Sequence, residues 1–162
     1  MPEKKTRHAA AKDKKEGKSA STQAGEYVHE EIEHVREGKH GARSAKQAIA
    51  IGLSKARRAG VKAPVGKSAS AATKKKAAQD EAASHHQHKP AAKRSKATSN
   101  ALKKEGHQAA SKKALSAHAK KSAAKRGASS RSAAAKKAAR TKGVTGRSTA
   151  AKKAAKTRAK KS

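Results

Sequence analysis

Residues 26–64 read EYVHEEIEHVREGKHGARSAKQAIAIGLSKARRAGVKAP, and this stretch decides the fold because most of the chain's large apolar side chains lie in it. Val28, Ile32 and Val35 stand at i, i+4 and i+7, one stripe of a helix, with Glu30, Glu33 and Glu37 on the opposite face. The spacing predicts a first helix over about 26–37. Gly38-Lys39-His40-Gly41 breaks that pattern, and Ser44-Ala45-Lys46-Gln47 then has the S-x-x-Q form of a capping box, so a second helix starts near Ala45. On that helix Ala45, Ala48, Ile49, Gly52, Leu53, Ala56, Ala59 and Gly60 share one face, and Lys46, Lys55, Arg57 and Arg58 occupy the rest with Ile51. Gly60 suits a left-handed C-cap, and Pro64 follows where the helix cannot resume. Two short amphipathic helices with a tight linker predict a small αα-hairpin near 26–60.

Outward from the hairpin the sequence changes character. The chain has 162 residues with 43 Lys plus Arg against 11 Asp plus Glu, a formal net charge of +32. Val, Ile and Leu together number 11, beside one Tyr and no Phe, Trp or Cys. So few large apolar groups and so high a charge fall outside the range of ordinary globular enzymes and predict a chain mostly disordered with α-helical segments and no β-sheet. The expected organisation is a disordered arm over 1–25, the hairpin over 26–64, a linker over 65–90 and a basic Ala/Lys-rich repeat tail over 91–162. On this reading nothing after residue 65 packs. The absence of cysteine excludes disulfides and thiolate chemistry. Met1-Pro2-Glu3-Lys4-Lys5 has no apolar signal segment and no run resembles a membrane span, so the expectation is a soluble, cytoplasmic, nucleoid-associated protein.

Charge divides the chain more sharply than hydropathy. Residues 1–37 are neutral, with eight acids and eight Lys or Arg, whereas residues 38–162 carry 35 Lys or Arg and only Asp80, Glu81 and Glu105. The last third, from Gly106, has no acid. It also repeats: Ser132-Ala133-Ala134-Ala135-Lys136-Lys137-Ala138-Ala139-Arg140-Thr141-Lys142 returns sixteen residues later as Ser148-Thr149-Ala150-Ala151-Lys152-Lys153-Ala154-Ala155-Lys156-Thr157-Arg158. Lys-Lys pairs begin at 112, 120, 136, 152 and 160, multiples of eight apart. On one continuous helix such pairs turn by about 80° for every eight residues between them and spiral round the axis. A segment of this kind has no apolar face for a core, and it meets phosphates from any side.

Three motifs come near to chemistry and miss it. His29-Glu30-Glu31-Ile32-Glu33-His34 resembles H-E-x-x-H, but its histidines are five apart and point at different sides of a helix. Gly66-Lys67-Ser68 copies the end of a P-loop, yet Val61 stands where the first glycine belongs. His85, His86 and His88 offer imidazoles without a fixed geometry, so the segment reads as linker. No catalytic residue, cofactor site or metal site is assigned, and the expectation is a protein that is not an enzyme and uses no cofactor.

Ser44 to Pro64 resembles the signature of an uncharacterised family of small basic bacterial proteins, S-x-K-Q-A-I-A-I-x-L-S-x-A-R-x-A-G followed by Pro. The preceding EYVHEEIEHVREGKHG is similar to the helix before that signature. Where members often have an acid before Ala-Arg, this sequence has Lys55. Some members carry labels such as plasmid stabilisation or DNA-binding protein. The tail resembles in composition the Ala-Lys tails of linker histones and bacterial histone-like proteins.

The function expected is non-sequence-specific binding and compaction of duplex DNA by phosphate neutralisation, as in a histone-like nucleoid-associated protein. The residues expected to carry it are Lys46, Lys55, Arg57 and Arg58 on the second helix. In the tail they are Lys112, Lys113, Lys120, Lys121, Lys125, Arg126, Lys136, Lys137, Arg140, Lys152, Lys153, Lys156 and Arg158. One alternative is an RNA- or ribosome-associated basic protein. Another is a plasmid-maintenance module that docks a protein partner through residues 26–64. No membrane partner is expected, because the tail lacks the bulky apolar face of an interfacial helix.

Overall fold

The computed structural model describes residues 2–66, 68–85 and 91–159. Among them there is helix and no strand, in the order α1 (Lys4–Lys15), α2 (Ala20–Arg36), α3 (Ala45–Arg58), α4 (Ala71–Ala82), α5 (Ala92–Lys103), a 3₁₀ turn (Gln108–Ala110), α6 (Lys112–Ala124) and α7 (Ala128–Ala159). The all-helical expectation holds. The expectation of a mostly disordered chain does not, since helices occupy most of the described residues, including the supposed arm and linker. The chain divides into two compact units, Met1–His118 and Ala119–Ser162.

The first unit is built on the αα-hairpin. Ser44 caps α3 by accepting from the Gln47 amide at 3.2 Å, as the capping box predicts, but the Gln47 side chain accepts from the Arg43 amide instead of that of Ser44. Gly60 takes φ 86, as a left-handed C-cap requires. The buried face of α3 is Ala45, Ala48, Gly52 and Ala56, a stripe of small residues that lets two backbones approach closely. A Cβ on Gly52 would stand 2.6 Å from the Val28 Cα and 3.0 Å from the Tyr27 carbonyl, so only glycine fits where α2 and α3 cross. Leu53 and Ile51 are both half-buried. Leu53 packs against the cluster of Ala10, Ala24, Tyr27, Ala56, Val61 and Ala63.

Close approach also shifts the helical phase of α2. The residues it buries are Ala24, Tyr27, Glu30, Glu31 and Val35, whereas Val28 and Ile32 are only half-buried. Glu30, expected on an exposed acidic face, is therefore interior, and Glu31 beside it is fully buried. The physical reason is the partner helix: α3 offers small side chains, leaves no room for a broad apolar seam, and brings Lys55 against the two carboxylates.

Packing does not stop at residue 65. Helix α1 lays Thr6, Ala10 and Asp13 at i, i+4 and i+7 against α2, and Lys18 closes its end with an Nζ–Asp13 bond of 2.6 Å. Helix α4, capped by Ser70, docks on α3 through Ala77 and Asp80. Farther along, the Gly41 amide donates to the Leu102 carbonyl at 2.9 Å and the Ala42 amide to that of Gly106 at 3.0 Å. These bonds seat Ala109 and Ala110 in a second cluster with Val35, Ala42 and Ala48, and Arg36 Nε donates to the Ala110 carbonyl at 3.0 Å. An expectation based on large apolar groups misses this core because most of it is alanine.

The second unit is different in kind. Helix α7 buries no residue and is broken at Gly143, whose φ of 64 and ψ of −178 belong to a region open only to glycine. The two copies of the repeat thus fall on separate helical arms, one before Gly143 and one after. The copies are equivalent in detail: Thr141 donates to the Lys137 carbonyl at 3.0 Å and Thr157 to that of Lys153 at 2.9 Å. Arg131 joins the preceding turn to α7 by donating to the carbonyls of Ala123 and Arg126.

Candidate nucleic-acid interface

The basic residues fall into two groups that the sequence does not separate. On α3, Lys46 is exposed near the N-terminus, outside the buried stripe. Lys55 lies four residues from Ile51 on the side the sequence reading assigns to solvent, yet its Nζ sits 2.6 Å from Glu31 Oε2 and 3.7 Å from Glu30 Oε1, and only 26% of its side chain is exposed. A cation held there balances carboxylates inside the fold. Arg57 donates from Nε to the Ala63 carbonyl at 3.2 Å and ties down the chain after α3.

Arg58 belongs to the same internal group. Its Nε donates to Asp80 at 3.0 Å, beside Lys76 Nζ at 2.8 Å and Ser54 Oγ at 2.6 Å, so Asp80 gathers three donors while 2% exposed. Burial pushes the Asp80 carboxyl up, but the bonds from Lys76, Ser54 and Arg58 outweigh it and hold the group below the ordinary carboxylate value. Asp80 is the tether of α4. At the other end of the unit, Glu3 is held low by its hydrogen bonds from His34 and Lys39, and Lys39 is held high by Glu37 and Glu3.

The remaining predicted residues are exposed. Lys112, Lys113, Lys120 and Lys121 stand along α6, Lys125 and Arg126 in the turn that follows it, Lys136, Lys137 and Arg140 on the first arm of α7, and Lys152, Lys153, Lys156 and Arg158 on the second. The spiral expected for one continuous helix does not run through them. It holds within α6 and is interrupted by the turn at Gly127 and by Gly143, so the Lys-Lys pairs at 120, 136 and 152 lie on three separate helical runs. The pair at 160, with Lys67 of the P-loop-like motif and His86 and His88 of the histidine cluster, lies outside the described residues.

Aromatic stacking has no surface to work with here. Tyr27 is the chain's single Tyr and is 2% exposed, with burial pushing its hydroxyl up. No helix among the described residues is long and apolar enough to cross a membrane.

Residues 12–67 match the model of a family of unknown function, DUF6496. The match covers about a third of the chain and runs from the end of α1 through the hairpin, so similarity to that family is confined to the first unit. No curated protein and no solved structure matches the chain.

Sequence reasoning misses the interior ionic residues. Lys55 and Arg58 look like surface cations because their partners Glu31 and Asp80 are far away along the chain. The signals that point to them are E-x-x-H at 31–34 and the Asp80-Glu81 pair in an otherwise basic stretch.

Proposed function

We propose that this protein binds duplex DNA through its phosphates, without sequence choice, and draws duplexes together as a histone-like nucleoid-associated protein. One observation carries the reading: from Gly106 to the end there are 18 Lys or Arg and no acid, and in α6 and α7 these cations stand exposed on helices that bury nothing. Each cation that neutralises a phosphate releases condensed counterions and makes affinity fall as salt rises. The buried Tyr27 supports backbone binding over base stacking. In this proposal Lys46 and the α6–α7 cations contact phosphates, while Lys55, Arg57 and Arg58 hold the first unit together.

The test is the salt dependence of binding. Changing Lys136, Lys137, Lys152 and Lys153 to Gln flattens the slope of log K against log salt on duplex DNA by about 0.9 for each phosphate no longer neutralised, and leaves the ranking of DNA sequences unchanged. A slope unaffected by all four changes contradicts the reading. Competition by structured RNA at equal phosphate concentration checks the polyanion, with duplex DNA expected to win.

A further inference from the structure

The interior ionic cluster contains more ligand atoms than hydrogen-bond donors. Glu31 is fully buried and neither of its carboxylate oxygens accepts a hydrogen bond; Glu30 Oε1 is also without one. Lys55 Nζ lies close to both residues but outside hydrogen-bond geometry, and it supplies one positive charge against two negative ones. The other nearby cation, Lys39, is engaged by Glu3 and Glu37. One negative charge on the buried carboxylates is left for the neighbouring imidazoles or a bound cation to balance.

Two imidazoles face those oxygens. Glu31 and His34 stand at i and i+3 on α2, a spacing that turns a carboxylate and an imidazole toward one point, and Glu30 and His34 stand at i and i+4. His40 comes from the α2–α3 connection, with its ring 6.1 Å from that of His34 and nearly perpendicular to it. Its Nδ1 is 3.1 Å from the Gly41 carbonyl, which only accepts, so Nδ1 carries the hydrogen. In the neutral ring Nε2 then presents a lone pair, and this atom lies 3.2 Å from Glu31 Oε1, itself an acceptor. Two acceptors at that distance need a proton or a metal ion between them.

We propose that Glu31, His34 and His40 form a three-ligand binding site for one divalent transition-metal ion of the zinc class. The ligand atoms of Glu31, His34 and His40 all lie within 4.8 Å of one another, and Glu30 Oε1 is 4.0 Å from His34 Nε2. Tetrahedral zinc with bonds of about 2.0–2.2 Å spaces its ligands roughly 3.3–3.5 Å apart, and the Glu31–His40 pair, at 3.2 Å, is close to that spacing. A contraction of about 1 Å brings in the rest. The bond from His40 to the Gly41 carbonyl is the outer-shell contact that fixes a ligating tautomer. His34 Nε2, now 2.9 Å from Glu3 Oε1, exchanges that partner for the ion, so occupancy of the site is coupled to the N-terminal end of α1. The H-E-x-x-H reading fails because it pairs His34 with His29; the fold pairs it with His40.

The experiment titrates the full chain, stripped with chelator, first with Co2+ as a visible-absorption probe and then with Zn2+ in competition. The expected result is one Co2+ per chain with the intense absorption of a low-coordinate site, displaced by one equivalent of Zn2+. His34→Gln and His40→Gln each weaken binding by about a hundredfold, whereas a variant with His85, His86 and His88 all changed to Gln binds as the parent does. Histidine resonances of the unsubstituted chain give a readout that does not depend on the variants folding: one equivalent of Zn2+ shifts His34 and His40 and leaves His8 and His29 in place. Absence of a one-to-one Co2+ complex, loss of binding with the His85 triple variant, or Zn2+ shifts that spare His34 and His40 overturns the proposal.

Discussion

The two units contain the same residue types in different company, and the difference assigns them different work. In the first, up to His118, several cations are matched to buried acids, Lys55 to Glu31, Arg58 and Lys76 to Asp80, Lys18 to Asp13, while others such as Lys46, Lys112 and Lys113 stand exposed. In the second, helices of the same Ala and Lys composition have no Asp or Glu anywhere in the segment, and α7 buries nothing. A lysine on an alanine-rich helix is therefore structural or available according to whether the fold brings an acid to it. Composition alone does not distinguish one lysine from the other.

Breaking the ionic interior gives the largest effect. Lys55→Ala leaves Glu30 and Glu31 buried without their cation, and the first unit loses about 3–5 kcal/mol of stability, measured by denaturant unfolding. The matched substitution Lys152→Ala in the second unit leaves that stability unchanged. Gly52→Ala comes next: its Cβ meets the α2 backbone, which has no side-chain freedom to yield, so the hairpin loses about 2–3 kcal/mol.

Acid sharpens the comparison. The Asp80 carboxyl is held below its ordinary value in the folded state, so its contribution is fully present above the unfolded value near ~4 and is lost as pH falls through the lower folded value. Asp80→Asn costs about 2 kcal/mol at pH ~6, and the gap between parent and variant closes below pH ~4, as thermal melts at both pH values would record. The second unit has no acid to titrate and is indifferent to the same change. The smallest effect belongs to Gly143→Ala, which strains a glycine-only backbone and costs α7 about 1 kcal/mol, visible as a change in helicity with no change in the first unit.

The hairpin is legible in the sequence because Val, Ile and Leu recur at helical spacing and Ser44 with Gln47 marks a helix start. Helices α1 and α4 are not, since their buried faces are Thr6, Ala10 and Asp13 in one and Ala77 and Asp80 in the other, residues without a hydropathy signal. Helix starts are marked all the same: Ser19, Ser70 and Ser111 each accept an amide from the first turn of a following helix, and a search for capping serines finds α2, α4 and α6. At the basic surface, charge and the lack of acids identify the exposed lysines of α6 and α7. The interior roles of Lys55 and Arg58 depend on pairing between distant segments, which local periodicity does not encode.

The most direct test of this division sets two lysine quartets against each other in salt titrations of duplex DNA binding. One variant changes Lys136, Lys137, Lys152 and Lys153 to Gln; the other changes Lys4, Lys5, Lys14 and Lys15, which are exposed on α1 within the charge-neutral stretch 1–37. The account predicts that the α7 quartet flattens the slope by about 3–4 and the α1 quartet by less than about 1, with both proteins ranking DNA sequences as the parent does. Equal flattening by the two quartets, or a larger effect from α1, would contradict it.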